Sequence, residues 1–189
     1  MKNTLFVISG PSGVGKGTLV RLIMRERSDL SLSVSCTTRP PRVCERDGVD
    51  YFFLSREEFL KRAERDGFLE YDEHFGNFYG TPRSFVQEKL KSGSVVLEID
   101  VVGALKVKEA CARSGEKPVL ILIAPPDLET LQSRLSGRKT ESEEETKKRL
   151  ERVRYEMAQR DKYDYVVVND DLNTAKQQLL EIIKKEEDR

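Results

Sequence analysis

Short apolar runs alternate with longer stretches of helical period along most of the chain. Residues 4–9 (TLFVIS), 94–99 (SVVLEI), 119–123 (VLILI) and 165–168 (YVVV) are apolar and rich in β-branched residues. They lack the alternating polar positions of a half-wet strand, so they read as buried strands, with 32–36 a shorter candidate. Residues 16–27 place Leu19, Leu22 and Ile23 on one helical face, and 102–112, 128–135, 144–160 and 172–185 repeat that period. The alternation predicts an α/β fold, a three-layer core in which helices cover both faces of a parallel sheet.

The middle of the chain breaks this rhythm. Between about residues 37 and 91 come TTRPPR, the aromatic run Tyr51-Phe52-Phe53 and a Gly-Asn turn signal at 76–77. Ser55 and Glu58 form a capping-box pattern before Phe59, Leu60 and Ala63. Thr81 and Pro82 read as an N-cap and first helical residue before Val86 and Leu90. The pattern predicts a small mixed α/β insert carried on the parallel core.

Composition narrows the class. With 189 residues, the chain has the length of one domain, and 33 basic residues balance 33 acidic ones. A neutral balance disfavours a dedicated nucleic-acid binder. No apolar stretch approaches the roughly 18 residues of a membrane span, and no signal-peptide pattern opens the chain. Cys36, Cys44 and Cys111 show neither a paired framework nor zinc-ligand spacing, and His74 is the sole histidine. A reducing cytoplasm is the expected compartment.

The strongest chemical signal is GPSGVGKGT at 10–18, set between the first strand and the first helix. Glycines let backbone N–H donors approach a phosphate chain, the helix N-terminus adds its dipole, and Lys16 supplies a point charge. The backbone and side chains of Gly10, Pro11, Ser12, Gly13, Val14, Gly15, Lys16, Gly17 and Thr18 form this candidate site for a nucleoside triphosphate. Gly17 stands where a magnesium-ligating Ser or Thr is usual, so Mg2+ is expected to be held mainly by phosphates and water. The GKGT variant is similar to that of adenylate kinases.

A second signal is SCTTRPPR at 35–42. Prolines favour extended geometry, which projects Arg39 and Arg42 from similar sides as two forks for a phosphate monoester, with Tyr51 and Tyr79 as phenolic donors. Asp100 ends an apolar run, where the carboxyl edge of an open α/β sheet faces the ligand crevice.

In order, the phosphate loop, SCTTRPPR, DGVDYFF, FGNFYGTP, VVLEIDVVGA, RLSGRKTESEEE and VVVNDD resemble the motifs of guanylate kinases over nearly the whole chain. The resemblance implies transfer of the γ-phosphoryl of ATP to GMP, with dGMP a plausible second acceptor, on a P-loop NTPase-type core. It implies core segments at 1–34, 93–126 and 160–189, a GMP-binding insert at about 35–92 and a helical lid at about 127–159. Arg39, Arg42, Tyr51 and Tyr79 match the acceptor-phosphate site, and Ser35, Glu70, Thr81 and Asp100 the guanine side. Glu70 fits independently, because a carboxylate can accept from guanine N1–H and N2–H₂ together, a donor pair adenine lacks. Arg134, Arg138 and Arg149 match lid positions near the phosphates, and Asn169 one near adenine. Val43-Cys44 departs from the Pro-Gly pair more usual after Arg42, which puts that turn in question. Alternatives are a kinase for another nucleoside monophosphate and a non-catalytic binding module of guanylate kinase-like fold. Oligomeric state is not legible.

Overall fold

A computed structural model describes residues 2–74, 76–127, 129–131 and 143–189, with the backbone alone over 143–150. Five strands form an all-parallel sheet: β1 (Leu5–Ser9), β2 (Ser31–Leu32), β7 (Val95–Glu98), β8 (Val119–Ala124) and β9 (Tyr165–Val168), in the order β2-β7-β1-β8-β9. Alternate residues of β1 serve opposite faces. Phe6 and Ile8 pack with Leu19, Val20 and Ile23 of α1 (Lys16–Glu26) and with Leu179 and Ile183 of the C-terminal helix, Leu172–Glu187. Leu5 and Val7 pack with Ala104, Val107 and Cys111 of α4 (Val101–Ser114). Both faces are therefore covered, which is why these strands carry no polar alternation.

The insert is a second, mixed sheet in the order β4-β3-β6-β5, built from β3 (Cys36–Thr37), β4 (Phe52–Phe53), β5 (Phe68–His74) and β6 (Asn77–Pro82). Helix α2 (Arg56–Glu64) closes it, capped by Ser55, whose hydroxyl accepts from the Glu58 N–H at 3.1 Å. Its own core stacks Phe59 between Phe68 and Phe78, at centroid distances of 4.3 and 5.2 Å. Helix α3 (Arg83–Leu90) buries Val86 in the main core.

Two expected elements are corrected. The strand over 32–36 is two pieces: Ser31–Leu32 pairs with Val95–Val96 in the core sheet, whereas Cys36–Thr37 pairs with Tyr79–Gly80 in the insert. The chain changes sheets between them. Nor does Thr81 cap a helix. It lies within β6 opposite Glu70, Pro82 ends the strand as the N-cap, and the helix begins at Arg83. The helix expected over 144–160 is α5 (Glu143–Ala158), followed by a 3₁₀ turn at Arg160–Lys162. The C-terminal helix is α6 (Leu172–Glu187). Most of the helix expected at 128–135 lies outside the described residues.

Candidate active site

The phosphate loop leaves the carboxyl end of β1 and enters α1. Gly15 is the left-handed N-cap of α1, with φ of 94°. A Cβ there would also lie 2.5 Å from the Asn169 amide nitrogen, so both backbone and space require glycine. Asn169 follows β9, is buried, and its Nδ2 donates to the Val14 carbonyl at 2.8 Å. The structure thus sets Asn169 beneath the loop as a brace. Val14 points its side chain into the core, leaving only its backbone to the loop, while Ser12 and Thr18 are exposed. Lys16 folds back and donates to the carbonyls of Gly10 at 2.6 Å and Pro11 at 3.2 Å. Burial lowers the Lys16 pKa, and the carboxylates of Glu98, Glu156 and Asp100 oppose that shift.

Gly17 has a specific neighbour. A Cβ on it would lie 3.1 Å from Glu98 Oε1, so a carboxylate from the end of β7 stands beside the position where a loop hydroxyl is usual. Burial raises the Glu98 pKa, with Lys16 opposing. A hard oxygen donor such as Glu98 at this point is of the type magnesium takes.

Across the crevice, a cavity of about 280 Å³ is lined by Ser35, Tyr51, Glu70, Tyr79 and Asp100, together with Asp72, His74, Gly80, Glu98 and Ile99. A larger hollow of about 460 Å³ along β5 and α4 shares Glu70 and Asp72 with this cavity, and another of the same volume lies between the N-terminal residues and the C-terminal helix. The β5–β6 register sets Glu70 opposite Thr81, and the Thr81 hydroxyl donates to Glu70 Oε1 at 2.6 Å. Burial raises the Glu70 pKa; the Thr81 hydrogen bond opposes this and the Asp100 charge adds to it.

The loop after β3 carries Arg39 and Arg42, the two expected acceptor-phosphate forks. Thr37 Oγ1 accepts from the Arg39 N–H at 3.2 Å and fixes the start of the loop. Arg39 Nη2 donates to both oxygens of Glu45, at 2.9 and 3.0 Å, and its guanidinium lies 5.7 Å from the Tyr51 ring centroid. Tyr51 meets Tyr79 edge-on at 6.1 Å. Glu45 also accepts from the Arg42 N–H at 2.7 Å, whereas the Arg42 guanidinium makes no ion pair among the described residues. Cys44 adopts φ of 75°, so the turn forms there without glycine.

Asp100 is the N-cap of α4: Oδ1 accepts from the Gly103 N–H at 2.7 Å. Its Oδ2 accepts from Arg152 Nη2 at 2.8 Å, and Arg152 Nε donates to Glu156 Oε1 at 3.1 Å. Arg134 and Arg138 lie outside the described residues, as does the side chain of Arg149. Sequence reasoning missed Glu45, Glu98, Arg152 and Glu156. The spacing of Arg152 and Glu156 on one helix was the one local signal.

A family model described as guanylate kinase matches residues 2–186. A guanylate kinase of Caldanaerobacter subterraneus subsp. tengcongensis is 48% identical over 186 residues, covering 98% of this chain and 88% of that one. One from Thermotoga maritima is 45% identical over 187 residues, again covering 98% and 88%. The crystal structure of guanylate kinase from Anaplasma phagocytophilum matches with a TM-score of 0.74 at 33% identity, covering 100% of this chain and 88% of that one.

Proposed function

The chain belongs to the guanylate kinase family, and we propose that it transfers the γ-phosphoryl group of ATP to GMP, giving ADP and GDP, with dGMP as a second acceptor. The observation that carries this reading is Glu70, held by the Thr81 hydroxyl and lining one cavity with Ser35 and Asp100 at the carboxyl end of β7, the neighbour of the strand that leads into the phosphate loop. Glu70 accepts from guanine N1–H and N2–H₂, with Ser35, Thr81 and Asp100 beside it. Arg39, Arg42, Tyr51 and Tyr79 hold the acceptor phosphate. Residues 35–92 serve as the acceptor-binding insert, 1–34, 93–126 and 160–189 as the core, and 127–159 as the lid.

Catalysis is positioning and charge stabilisation. A GMP phosphate oxygen attacks the γ-phosphorus in line, so one O–P bond forms as the bond to the β-bridging oxygen breaks and ADP departs. Loop residues Gly10 to Thr18 wrap the donor phosphates, braced by Asn169. Lys16 leaves the carbonyls of Gly10 and Pro11 for the β- and γ-oxygens, and Arg134, Arg138 and Arg149 add positive charge there. Magnesium, when bound, would neutralise charge on the phosphate oxygens; Glu98 beside Gly17 would hold it, with the nucleotide and water supplying the other ligands. ATP and GMP are the partners, with neither nucleic acid nor membrane required. Among the described residues no helix is long and apolar enough to cross a membrane. The free thiols of Cys36, Cys44 and Cys111 suit a cytoplasmic setting.

Lys16→Met tests the mechanism. Turnover in a coupled ADP-release assay should fall about 10³-fold while GMP binding and the melting temperature hold. Near-normal turnover by the folded variant would remove Lys16 from the reaction. Tight GMP binding without turnover by the unmodified protein would favour a non-catalytic binding module.

A further inference from the structure

We propose that Arg152 is a positioning residue for the acceptor nucleotide: from α5 it fixes the Asp100 carboxylate that faces guanine. The inference rests on the GMP-kinase reading and adds a residue to its acceptor site. Asp100 has two oxygens with separate duties. Oδ1 caps α4 through the Gly103 N–H at 2.7 Å, and Oδ2 takes the Arg152 Nη2 at 2.8 Å. The cap alone leaves the second oxygen able to swing; the guanidinium sets the plane of the whole carboxylate. His74 Nε2, 3.8 Å from Oδ2, lies beyond hydrogen-bond reach, so Arg152 is the side chain that holds this oxygen among the described residues.

Arg152 is itself held at two points. Its Nε donates to Glu156 at 3.1 Å, and Glu156 is only 3% exposed, so the fork cannot turn freely into solvent. A guanidinium can serve two carboxylates from different elements because its donors diverge from one rigid plane; an ammonium on a flexible stem lacks that geometry. The ion pair joins residues 52 apart in sequence, tying α5 to the strand end where the acceptor cavity opens. Its charge also matters there. Arg152 sets a positive charge against Asp100, on the cavity wall that an incoming nucleotide phosphate approaches.

A merely structural reading makes a different forecast. Arg152 is 49% exposed, and ion pairs so exposed contribute little to stability. The proposal places its effect in acceptor binding instead. Arg152→Met and Arg152→Lys are compared with the unmodified protein by ADP release, varying GMP and ATP separately, alongside thermal melts. For Arg152→Met the KM for GMP should rise about tenfold, the loss of one charge-assisted hydrogen bond, with the KM for ATP and kcat within about twofold. Arg152→Lys keeps the charge and loses the fork, so it should still raise the KM for GMP at least about threefold. In the Asp100→Asn background, Arg152→Met should add almost nothing, because both act through one carboxylate. An unchanged KM for GMP, an equal rise in both KM values, or tighter GMP binding would each overturn the proposal. Lack of GMP turnover in the unmodified protein would instead bring down the functional reading on which it rests.

Discussion

In the proposed function, acceptor selectivity is concentrated in Glu70, whose half-buried carboxylate accepts from Thr81 on one oxygen and would meet two guanine donors. Glu70→Gln turns one acceptor into a donor. The KM for GMP should rise about 100-fold while that for ATP stays within about twofold, read from initial rates. The pH dependence has a definite sign. Burial raises the Glu70 pKa, and guanine binds the ionised form, so bound GMP favours loss of the proton. GMP affinity should therefore fall as pH falls, starting at a higher pH than for an ordinary glutamate, and Glu70→Gln should flatten that part of the profile. Titration calorimetry across pH checks both.

Cys44 raises a separate question, of strain. Its φ of 75° puts a side chain in the left-handed region, on an exposed turn. Cys44→Gly should raise unfolding free energy by about 0.5 kcal/mol, the relieved strain exceeding the added unfolded-state entropy. A urea melt measures this. Arg39, Arg42, Tyr51 and Tyr79 stood out because they sit in short, chemically distinctive motifs, whereas Glu70 lies outside those motifs and rested on the family resemblance and on guanine's donor pair. Glu45, Glu98, Arg152 and Glu156 were not legible. In a chain with 35% charged residues, each looks like solvated surface, and the neighbours that give Arg152 and Glu98 their places, Asp100 and Gly17, come from other elements.

Elements with strong periodicity were readable, and those defined by tertiary pairing were not. Buried strands and amphipathic helices announce themselves through period. The 32–36 stretch has no comparable pattern, and its two halves are decided by partners in different sheets, Val95–Val96 and Tyr79–Gly80. Thr81 likewise resembled a cap until the hairpin register turned its hydroxyl to Glu70. The link between β9 and the phosphate loop depends on Asn169. Asn169→Ala would strand the buried Val14 carbonyl, costing about 1–3 kcal/mol of stability. With its brace gone, the loop should also bind ATP more weakly, by about tenfold in KM, with GMP affected far less.

At the scale of the whole molecule, one crevice serves two nucleotides. The parallel sheet delivers the phosphate loop at the carboxyl end of β1, and the insert carries Glu70 and Thr81 to the same end. The family match shows which family fold this is; the acceptor-side geometry gives the reason for expecting guanine. The most direct measurement is ADP release with ATP and magnesium against GMP, dGMP, AMP, UMP and CMP in turn. GMP should be used far faster than AMP, UMP or CMP, with dGMP the nearest second. Faster turnover of AMP, UMP or CMP than of GMP would contradict the role given to Glu70 and the acceptor site built around it.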